Sequence, residues 1–340
     1  ALPISPLVVR DVPECFAIEN PLLGLIALVP GVAERRGCEI TYQKPHSKAD
    51  LAAGVRLWTA SDQSSVVEGT LNTYKPVIVP TSPATGTLTA VSVPVGYSPE
   101  RCYDATNPEA VAQDLHVLRA LQNDIEVSYL LGRIDAESSR HSHTATAAAG
   151  ASTGFGAFVE LVGVLSAWRG YVKSLGLASR GRGTVVVEAG MIDAIAYDVV
   201  ASRQDLVSTA VAEIRAALEE FGNLVEVSVQ ASGQADPFAG FIAGLTAPGA
   251  ASAALPAVPS AFRVRWFDPT GWFRIAPPAV EFGVRDDLAS LRMNRIPYFG
   301  ESFLGAGTLS CAPSASVDLA FGNWGVRSAR TAAATPPRQP

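Results

Sequence analysis

The clearest pattern of hydrophobic and polar positions runs from Asn107 to Gly132 and predicts one long helix. Its apolar residues are separated by three, four or sums of these spacings, which places them on one helical face: Val111, Leu115, Leu118, Ile125 and Tyr129. We expect that face to be buried. The helix would be roughly 36 Å long at about 1.5 Å per residue. A helix of this length suits a flat or extended subunit whose partners cover part of its surface.

Local signals mark both ends of this helix. Asn107 is predicted to cap the first turn with its side-chain oxygen, Pro108 fits the first helical position, and Glu109 lies at the positive end of the helix dipole. Gly132, followed by Arg133, is predicted to end the helix in a left-handed conformation. We therefore expect the helix to cover residues 108–131.

Residues 1–38 are rich in apolar side chains but follow neither a helical nor an alternating period, and prolines interrupt them at wide intervals. This pattern predicts an extended N-terminal arm. Because the arm is apolar, we expect it to lie on protein, on a neighbouring copy, and not in solvent.

Strand-like segments alternate with turn-rich ones over the next part of the chain: EITYQ at 39–43, VRLWTA at 55–60, TYKPVIVP at 73–80 and GTLTAVSVPVGY at 86–97. They predict a long β-hairpin with polar tips, and Trp58 between the tips is of the kind that anchors a contact. A two-stranded hairpin is only marginally stable alone, so we expect it to dock on another surface.

The chain after the long helix predicts a loop and then a second helix. Residues 134–154 are small and polar, with no period, and predict the loop. Helical spacing resumes from Phe155 to Leu175. The apolar face of this second helix consists of Phe158, Leu161, Leu165, Trp168 and Val172.

A compact α/β segment is predicted over residues 186–232. It opens with a buried strand at Thr184–Glu188 and a helix beginning beside Gly190, and it closes with a strand at 224–232. The helix between them, within 203–222, has this apolar face: Leu206, Val207, Ala210, Ile214, Leu218 and Phe221.

The last part of the chain begins with a connector over residues 233–261, anchored by Phe238, Phe241 and Ile242. Strand-like segments follow, and Asp268 to Gly271 is predicted to form a turn between the first two of them.

Composition indicates a subunit with large contact surfaces. Of the 340 residues, 48% are hydrophobic and only 17% are charged, with a mean hydropathy of +0.21. So few charges cannot cover a large exposed surface, so we expect much of the surface to contact other subunits. The apolar runs are too short for a membrane span. A net charge of −6 and a pI near 5.3 argue against a protein that wraps nucleic acid by neutralising phosphates.

No catalytic, cofactor or metal motif is expected to act in this chain. The HxH pair His141 and His143 lies in a small-residue segment without a third ligand at a supporting spacing, which favours a solvated loop. Gly154 and Gly156 precede a helix but follow no strand, so they do not make a dinucleotide-binding motif. The cysteines are far apart and predict buried free thiols: Cys15, Cys38, Cys102 and Cys311.

The order of these parts resembles the major capsid proteins of tailed bacteriophages, which have the Hong Kong 97 fold shared with encapsulins. The helix 107–132 is similar to the spine helix of that family, and TVVVEAGMIDAIAYDVVAS at 184–202 to the strand, turn and helix that open its axial domain. VRDDLASLRMNRIPYFGESFLGAGTLS at 284–310 resembles the strands near the C-terminus of the family.

The resemblance implies an α+β fold with five parts. They are an N-terminal arm at 1–38, an extended β-hairpin at 39–98, a peripheral domain at 99–183 and 280–325 with its spine helix at 108–131, an axial domain at 184–279, and a flexible tail at 326–340.

It also implies a structural, non-enzymatic protein that self-assembles into the hexamers and pentamers of an icosahedral phage head around double-stranded DNA. Decoration, scaffold and portal proteins are the further partners, no membrane is involved, and the location is the virion capsid after assembly in the bacterial cytoplasm. Two alternatives stay open. One is an encapsulin-like compartment that holds a cargo enzyme, and the other is an enzyme with an unrecognised site in residues 184–232.

The subunit-interface residues assigned at this stage come from the arm and the hairpin: Trp58, Lys44, Lys48, Phe16 and Leu22. In some members of the family a lysine on the hairpin forms an isopeptide bond with an asparagine of a neighbour. Lys44, Lys48 or Lys75 could correspond to that lysine and Asn294 or Asn323 to the asparagine, but lysines in a polar loop are common, so no cross-link is predicted.

Overall fold

The computed structural model describes residues 21–30, 39–46, 51–52, 55, 57–64, 66, 85–145, 153–176, 183–196, 206–237, 239, 261–276, 283–284, 288–309 and 313–321. In this part of the chain the strands are Ala27–Pro30 (β1), Glu39–Gln43 (β2), Thr85–Thr89 (β3), Val91–Tyr97 (β4), Ser139–Ala145 (β5), Gly183–Glu188 (β6), Gly222–Val227 (β7), Ala261–Phe267 (β8), Trp272–Ala276 (β9), Gly283–Val284 (β10), Tyr298–Thr308 (β11) and Ala315–Phe321 (β12).

The helices of the same residues are Pro21–Leu25 (α1), Ala60–Ser64 (α2), Arg101–Thr106 (α3), Pro108–Glu137 (α4), Thr153–Ser174 (α5), 191–196 (α6), Val207–Glu219 (α7) and Leu288–Arg292 (α8). Across the described ranges, no helix combines the length and the apolar character that crossing a membrane requires.

The strands form two five-stranded sheets and a two-stranded ribbon. The first sheet has the order β1-β9-β11-β10, with β4 also paired to β11. The second sheet has the order β5-β12-β8-β6-β7, in which the two outer pairs are parallel and the two inner pairs antiparallel. The ribbon is the antiparallel pair of β2 and β3.

Helix α4 is the predicted long helix, and its start at Pro108 is confirmed. Its end was predicted wrongly, because the helix continues through Gly132 to Glu137 and is about 45 Å long. Ile134 is fully buried beyond Gly132, so packing of the last turns outweighs the glycine. Asn107 does not cap the helix with its side chain, which donates instead to the carbonyl oxygen of Tyr103 in α3.

The buried face of α4 differs from the predicted one. Ile125 is 49% exposed, and Leu115, Leu118 and Tyr129 are only partly buried. The buried residues of the helix are Val111, Ala120, Gln122, Val127, Leu130, Leu131 and Ile134. Apolar side chains therefore lie on more than one face of α4, and its own chain covers only part of them.

The second sheet has a different hydrophobic core on each face. On one face α5, α6 and α7 pack over side chains such as Val185, Val264 and Trp266. On the other face the C-terminal half of α4 and helix α1 pack over Val186, Val225 and Phe267. This alternation follows from the period of two in a strand, because neighbouring residues face opposite sides.

The helices of this second sheet largely confirm the sequence predictions. In α5, Leu161, Leu165 and Val172 are buried as expected, with Phe158 and Trp168 packed against them. In α7 the predicted face is correct from Ala210 onward, but Leu206 and Val207 are exposed. Both residues lie at the start of the helix, Leu206 as its N-cap and Val207 as its first residue.

Residues 139–145 form the edge strand β5, although residues 134–154 were predicted to be a loop. β5 pairs in parallel with β12 only, over Ser139 to Ala145. An edge strand with the sequence SRHSHTA lacks the alternating apolar residues that identify a strand, so the prediction failed there.

The sheets also divide the chain differently from the predicted domains. Helix α5 and strand β12 belong to the second sheet with β6 and β8, whereas β9 belongs to the first. Sheet membership alone does not define the domains, so the peripheral and axial boundaries at 183 and 280 stay a prediction.

Residues 21–30 lie on the body of their own chain. Strand β1 pairs in parallel with β9, and Leu22 is fully buried against α4. This part of the predicted arm therefore needs no neighbouring copy. Residues 1–20 and 31–38 lie outside the described ranges.

Gly222 allows β7 to start beside β6. Its φ is +153°, and a Cβ on it would lie 1.7 Å from the carbonyl oxygen of Gly183, its partner in the parallel pair. We expect Gly222→Ala to lower the free energy of unfolding by about 3 kcal/mol. Gly163→Ala in α5 is the control, because a Cβ there meets nothing within 4 Å, and it should raise stability by about 0.5–1 kcal/mol. Urea unfolding of both variants tests this, and similar values for the two would contradict it.

Candidate functional site

The ribbon is docked on the first sheet at its base. The Tyr42 hydroxyl donates to the carbonyl oxygen of Thr308 at 3.3 Å, and the Tyr42 ring lies edge-on to Phe273 with centroids 4.9 Å apart. Leu88 of β3 is buried against Ile275 of β9. The base of the ribbon is therefore an integral part of the subunit, although the hairpin was predicted to dock on another surface.

The described residues between the two strands of the ribbon carry exposed or partly buried apolar side chains, which we name the apolar tip: Leu51, Val55, Leu57 and Trp58. Leu57 is 90% exposed and Val55 is 84% exposed. This region was predicted to contain a strand at 55–60, which is wrong for its described residues, since Ala60 begins helix α2. Large apolar side chains exposed in this way mark an interaction surface.

Local hydrogen bonds give the apolar tip a defined shape. The Asp62 carboxylate accepts hydrogen bonds from the backbone N–H and the hydroxyl of Thr59, at 2.8 and 2.7 Å. The indole N–H of Trp58 donates to the side-chain oxygen of Gln63 at 3.0 Å. These bonds hold α2 and orient Trp58, which is partly buried.

A second apolar surface lies at the end of the first sheet. We name it the terminal patch: Tyr103, Val284, Leu291, Met293 and Phe299, each between 41% and 62% exposed. The elements that carry these residues are connected, because Phe299 pairs with Gly283 and the backbone N–H of Arg101 donates to the carbonyl oxygen of Asn294. Val284 and Phe299 point to opposite faces of the β10–β11 pair, because Val284 is opposite Tyr298. Asn294, with a φ of +56°, is exposed beside this patch. The sequence analysis did not find the patch, since its residues are isolated in the chain.

The interface residues assigned from the sequence fall in different environments. Trp58 is on the apolar tip, and Lys44 is partly exposed at the end of β2. Leu22 is fully buried by its own chain, so it is not available to a neighbour in this structure. Phe16 and Lys48 lie outside the described residues.

The structure also places the cysteines and the two histidines that the sequence analysis considered. Cys102 is an exposed free thiol, although the cysteines were predicted to be buried; the other cysteines lie outside the described ranges. His141 and His143 are on strand β5 and not in a loop. Among the residues that the structure describes, no three His, Cys, Asp or Glu side chains come together as a metal site.

A charged cluster, buried at its centre and exposed at Arg140, joins α4 to the second sheet and was not predicted from the sequence. It consists of Arg140, Arg263, Arg265, Asp135, Glu188 and Asp318. A sequence signal exists in β8, where arginines alternate with Phe262, Val264 and Trp266 in the segment FRVRWF. Alternation with buried apolar residues places both arginines on the opposite face of the sheet, which α4 covers.

Asp135 is the centre of the cluster. Its carboxylate accepts two hydrogen bonds from Arg265, at 2.7 and 2.9 Å, and one from Arg263 at 2.7 Å. Asp135 lies near the C-terminus of α4, where a negative charge opposes the helix dipole. The two arginines offset that repulsion. The bidentate hydrogen bond between Asp135 and Arg265 fixes the relative orientation of the two side chains as well as their distance.

Asp318 extends the cluster to the edge of the sheet. Its carboxylate accepts hydrogen bonds from Arg263 at 2.5 Å and from Arg140 at 2.6 Å. Burial raises the pKa of Asp318, but the hydrogen bonds and charges of Arg263 and Arg140 outweigh this, so its pKa lies below the usual value.

Glu188 is the most deeply buried acid of the cluster, with a side chain that is 0% exposed. It accepts hydrogen bonds from the backbone N–H of Arg263, at 3.0 Å, and from the side chain of Gln234, and it lies 3.8 Å from Arg265. Burial raises the pKa of Glu188 above its usual value, against the opposing effect of these partners.

We expect Asp318→Asn to lower the free energy of unfolding at pH 7 by about 1–3 kcal/mol, because the arginines lose a charged acceptor. Since the folded pKa of Asp318 is lowered, its contribution is present above the unfolded pKa of about 3.9 and is lost as pH falls through the folded pKa. The difference between variant and parent should therefore shrink between pH 5 and about pH 3. Urea unfolding across this range measures it, with Glu219→Gln at an exposed site as control. A difference that does not change with pH would contradict the assignment.

With this geometry established, the chain can be compared with known proteins. No family model matches the sequence, and no curated protein matches it. The mature capsid of bacteriophage PhiM1 superposes with a TM-score of 0.54 at 12% identity, over 91% of this chain and 90% of that one. The capsid of cyanophage P-SCSP1u gives a TM-score of 0.52 at 10% identity, over 95% of this chain and 94% of that one.

The chain has the Hong Kong 97 fold of phage capsid proteins. The α+β class and the resemblance inferred from the order of its parts are thereby confirmed. The assignment of α4 as the spine helix, and of the ribbon as the base of the extended hairpin, stays a prediction. The identities of 12% and 10% are too low to transfer more than the fold, so function has to be argued from the surfaces of this chain.

Proposed function

We propose that this chain is the major capsid protein of a tailed phage, a structural subunit that self-assembles into the hexamers and pentamers of an icosahedral head around double-stranded DNA. The apolar tip carries the proposal, because Leu57 is 90% exposed on a ribbon whose base is firmly docked. Stable monomers rarely expose an apolar surface of this kind, whereas a neighbouring copy in an assembly would bury it.

Further apolar surfaces, the net charge and the fold comparison also support the proposal. The terminal patch and the exposed face of α4 at Leu121 and Ile125 add apolar surface at other places on the subunit. Several separate patches are what a subunit with several neighbours needs. The net charge of −6 suits a shell that encloses DNA without binding it tightly. The fold comparison favours a phage head over an encapsulin-like compartment, since the PhiM1 and P-SCSP1u structures, with TM-scores of 0.54 and 0.52, are phage capsids.

Within this proposal Trp58 and Lys44 are interface residues on the ribbon, and the subunit is located in the virion capsid. Decoration, scaffold and portal proteins would be its further partners, and its role would not be enzymatic.

Sedimentation velocity of the purified chain at micromolar concentration, followed by negative-stain electron microscopy, tests the proposal. We expect capsomers or closed shells in equilibrium with free subunits. A chain that stays monomeric over a hundredfold range of concentration, in low and in physiological salt, would contradict it.

A further inference from the structure

The charged cluster occupies a place where burial alone would favour apolar residues. Arg265 is 0% exposed and Glu188 is 1% exposed, on the sheet face that α4 covers. Directly beside them, Val186 and Phe267 of the same strands pack against α4 in the apolar core. The same interface thus contains both an apolar half and an ionic half.

Stability does not account for the ionic half. Removing two charges from water costs about as much free energy as their attraction returns, and buried ion pairs replaced by apolar residues of similar size are often equally stable or more so. An apolar contact tolerates sliding and rotation, whereas the hydrogen bonds of Asp135 to Arg265 and Arg263 require one orientation. The distinct contribution of the cluster is therefore to fix the orientation of α4 on the second sheet.

Helix α4 is also bound to the first sheet. Glu126 accepts a hydrogen bond from Arg274 of β9 at 2.7 Å, and Gln122 donates to the carbonyl oxygen of Val93 of β4 at 3.4 Å. Because α4 is attached to both sheets, its orientation on the second sheet is also the orientation of one sheet relative to the other.

We propose that the charged cluster is the joint that fixes the angle between α4 and the second sheet, and that through this angle it sets the curvature of the assembled shell. Asp135 and Arg265 are the positioning residues of the joint. The first clause concerns the subunit alone, and the second rests on the proposed function. In a closed shell we expect each subunit to contact neighbours through the parts built on both sheets. A change of the angle between the two sheets would then change the tilt between neighbouring subunits.

The test uses the double variant Asp135→Leu/Arg265→Met, in which both partners of the bidentate hydrogen bond become apolar. Arg263, Arg140 and Asp318 keep their mutual hydrogen bonds, and no unpaired charge is created at Asp135. Glu188 loses the Arg265 cation but keeps its hydrogen bonds from the backbone N–H of Arg263 and from Gln234. The control is Arg215→Met/Glu226→Leu, which removes an ion pair between α7 and strand β7 of the second sheet that does not involve α4. Circular dichroism checks that the variants fold, and Asp135→Asn, which keeps the side-chain size, is a milder second variant.

The first measurement concerns the isolated subunit. Spin labels are placed at Ala112→Cys on α4 and Ala212→Cys on α7, both exposed, with the native cysteines replaced by serine. Double electron–electron resonance then reports the angle as a distance. We expect a broader or shifted distance distribution in the double variant, a smaller change of the same kind in Asp135→Asn, and no change in the control. An unchanged distance distribution in the double variant would contradict the proposal that the cluster fixes the angle between α4 and the second sheet.

The second measurement concerns the shell. Electron microscopy of assembled protein should show a different or more variable particle diameter for the double variant, and one diameter for the parent and the control. A double variant that assembles to the parental diameter would overturn the link to curvature. If the parent itself forms no shell, the proposed function fails, while the distance measurement still decides whether the cluster is a joint.

Discussion

Replacing Arg265 by methionine is expected to lower the free energy of unfolding by about 3–5 kcal/mol, the largest single-residue effect that we predict. Arg265 is 0% exposed and bonds both Asp135 and Gln234 while lying 3.8 Å from Glu188. Without it, one buried carboxylate loses its strongest partner and another loses its nearest side-chain cation. Urea unfolding of dilute protein at pH 7 measures the loss.

The double variant Asp135→Leu/Arg265→Met provides the control for this interpretation. It removes the Asp135 carboxylate together with its partner, so it should be about 1–2 kcal/mol more stable than Arg265→Met alone, although Glu188 still lacks the Arg265 cation. Non-additivity of this size would show that the two residues act as a pair. If the two single substitutions simply add in the double variant, the loss comes from packing of the arginine side chain and the ionic account is wrong.

Replacing Leu57 and Trp58 by serine is expected to prevent assembly at concentrations where the parent forms particles, without unfolding the subunit. Burying a large apolar side chain contributes about 2 kcal/mol per contact, so the pair should raise the subunit concentration needed for assembly by at least roughly a hundredfold. The effect on folding should be within about 0.5–1 kcal/mol, since these side chains are exposed or only partly buried in the subunit. Light scattering against concentration measures the first effect and urea unfolding the second.

Leu206→Ser is the matched control for the tip. Leu206 is 74% exposed but lies at the start of α7, away from the ribbon. It should leave the assembly concentration unchanged. Equal effects of the two substitutions would mean that any exposed leucine matters and that the apolar tip has no special role.

The parts of the fold that were predicted from the sequence are those whose signals are local. The start of α4 at Pro108, the face of α5 and the turn at Asp268 all rest on neighbouring residues. In that turn the Asp268 carboxylate accepts the backbone N–H of Thr270, as its sequence predicts. The order of such elements was sufficient to identify the fold.

The parts that were missed depend on contacts distant in the chain. Strand β5 forms because β12, more than 170 residues later in the chain, pairs with it. The sequence SRHSHTA contains no signal that predicts this pairing. Helix α4 continues past Gly132, where Ile134 is buried in the core and Asp135 bonds the arginines of β8. Leu22 was assigned to an interface because its segment has no period, yet the core between α4 and β9 covers it. In each case a tertiary contact outweighed the local preference.

The central claim is that copies of this chain bury the apolar surface that a single copy leaves exposed. A cryo-electron microscopy map of the assembled protein tests it most directly, at a resolution that shows side chains. We predict that Leu57, 90% exposed in the single subunit, and Trp58 are covered by residues of a neighbouring copy. A map in which the apolar tip faces solvent, or in which its own chain covers it, would contradict this account.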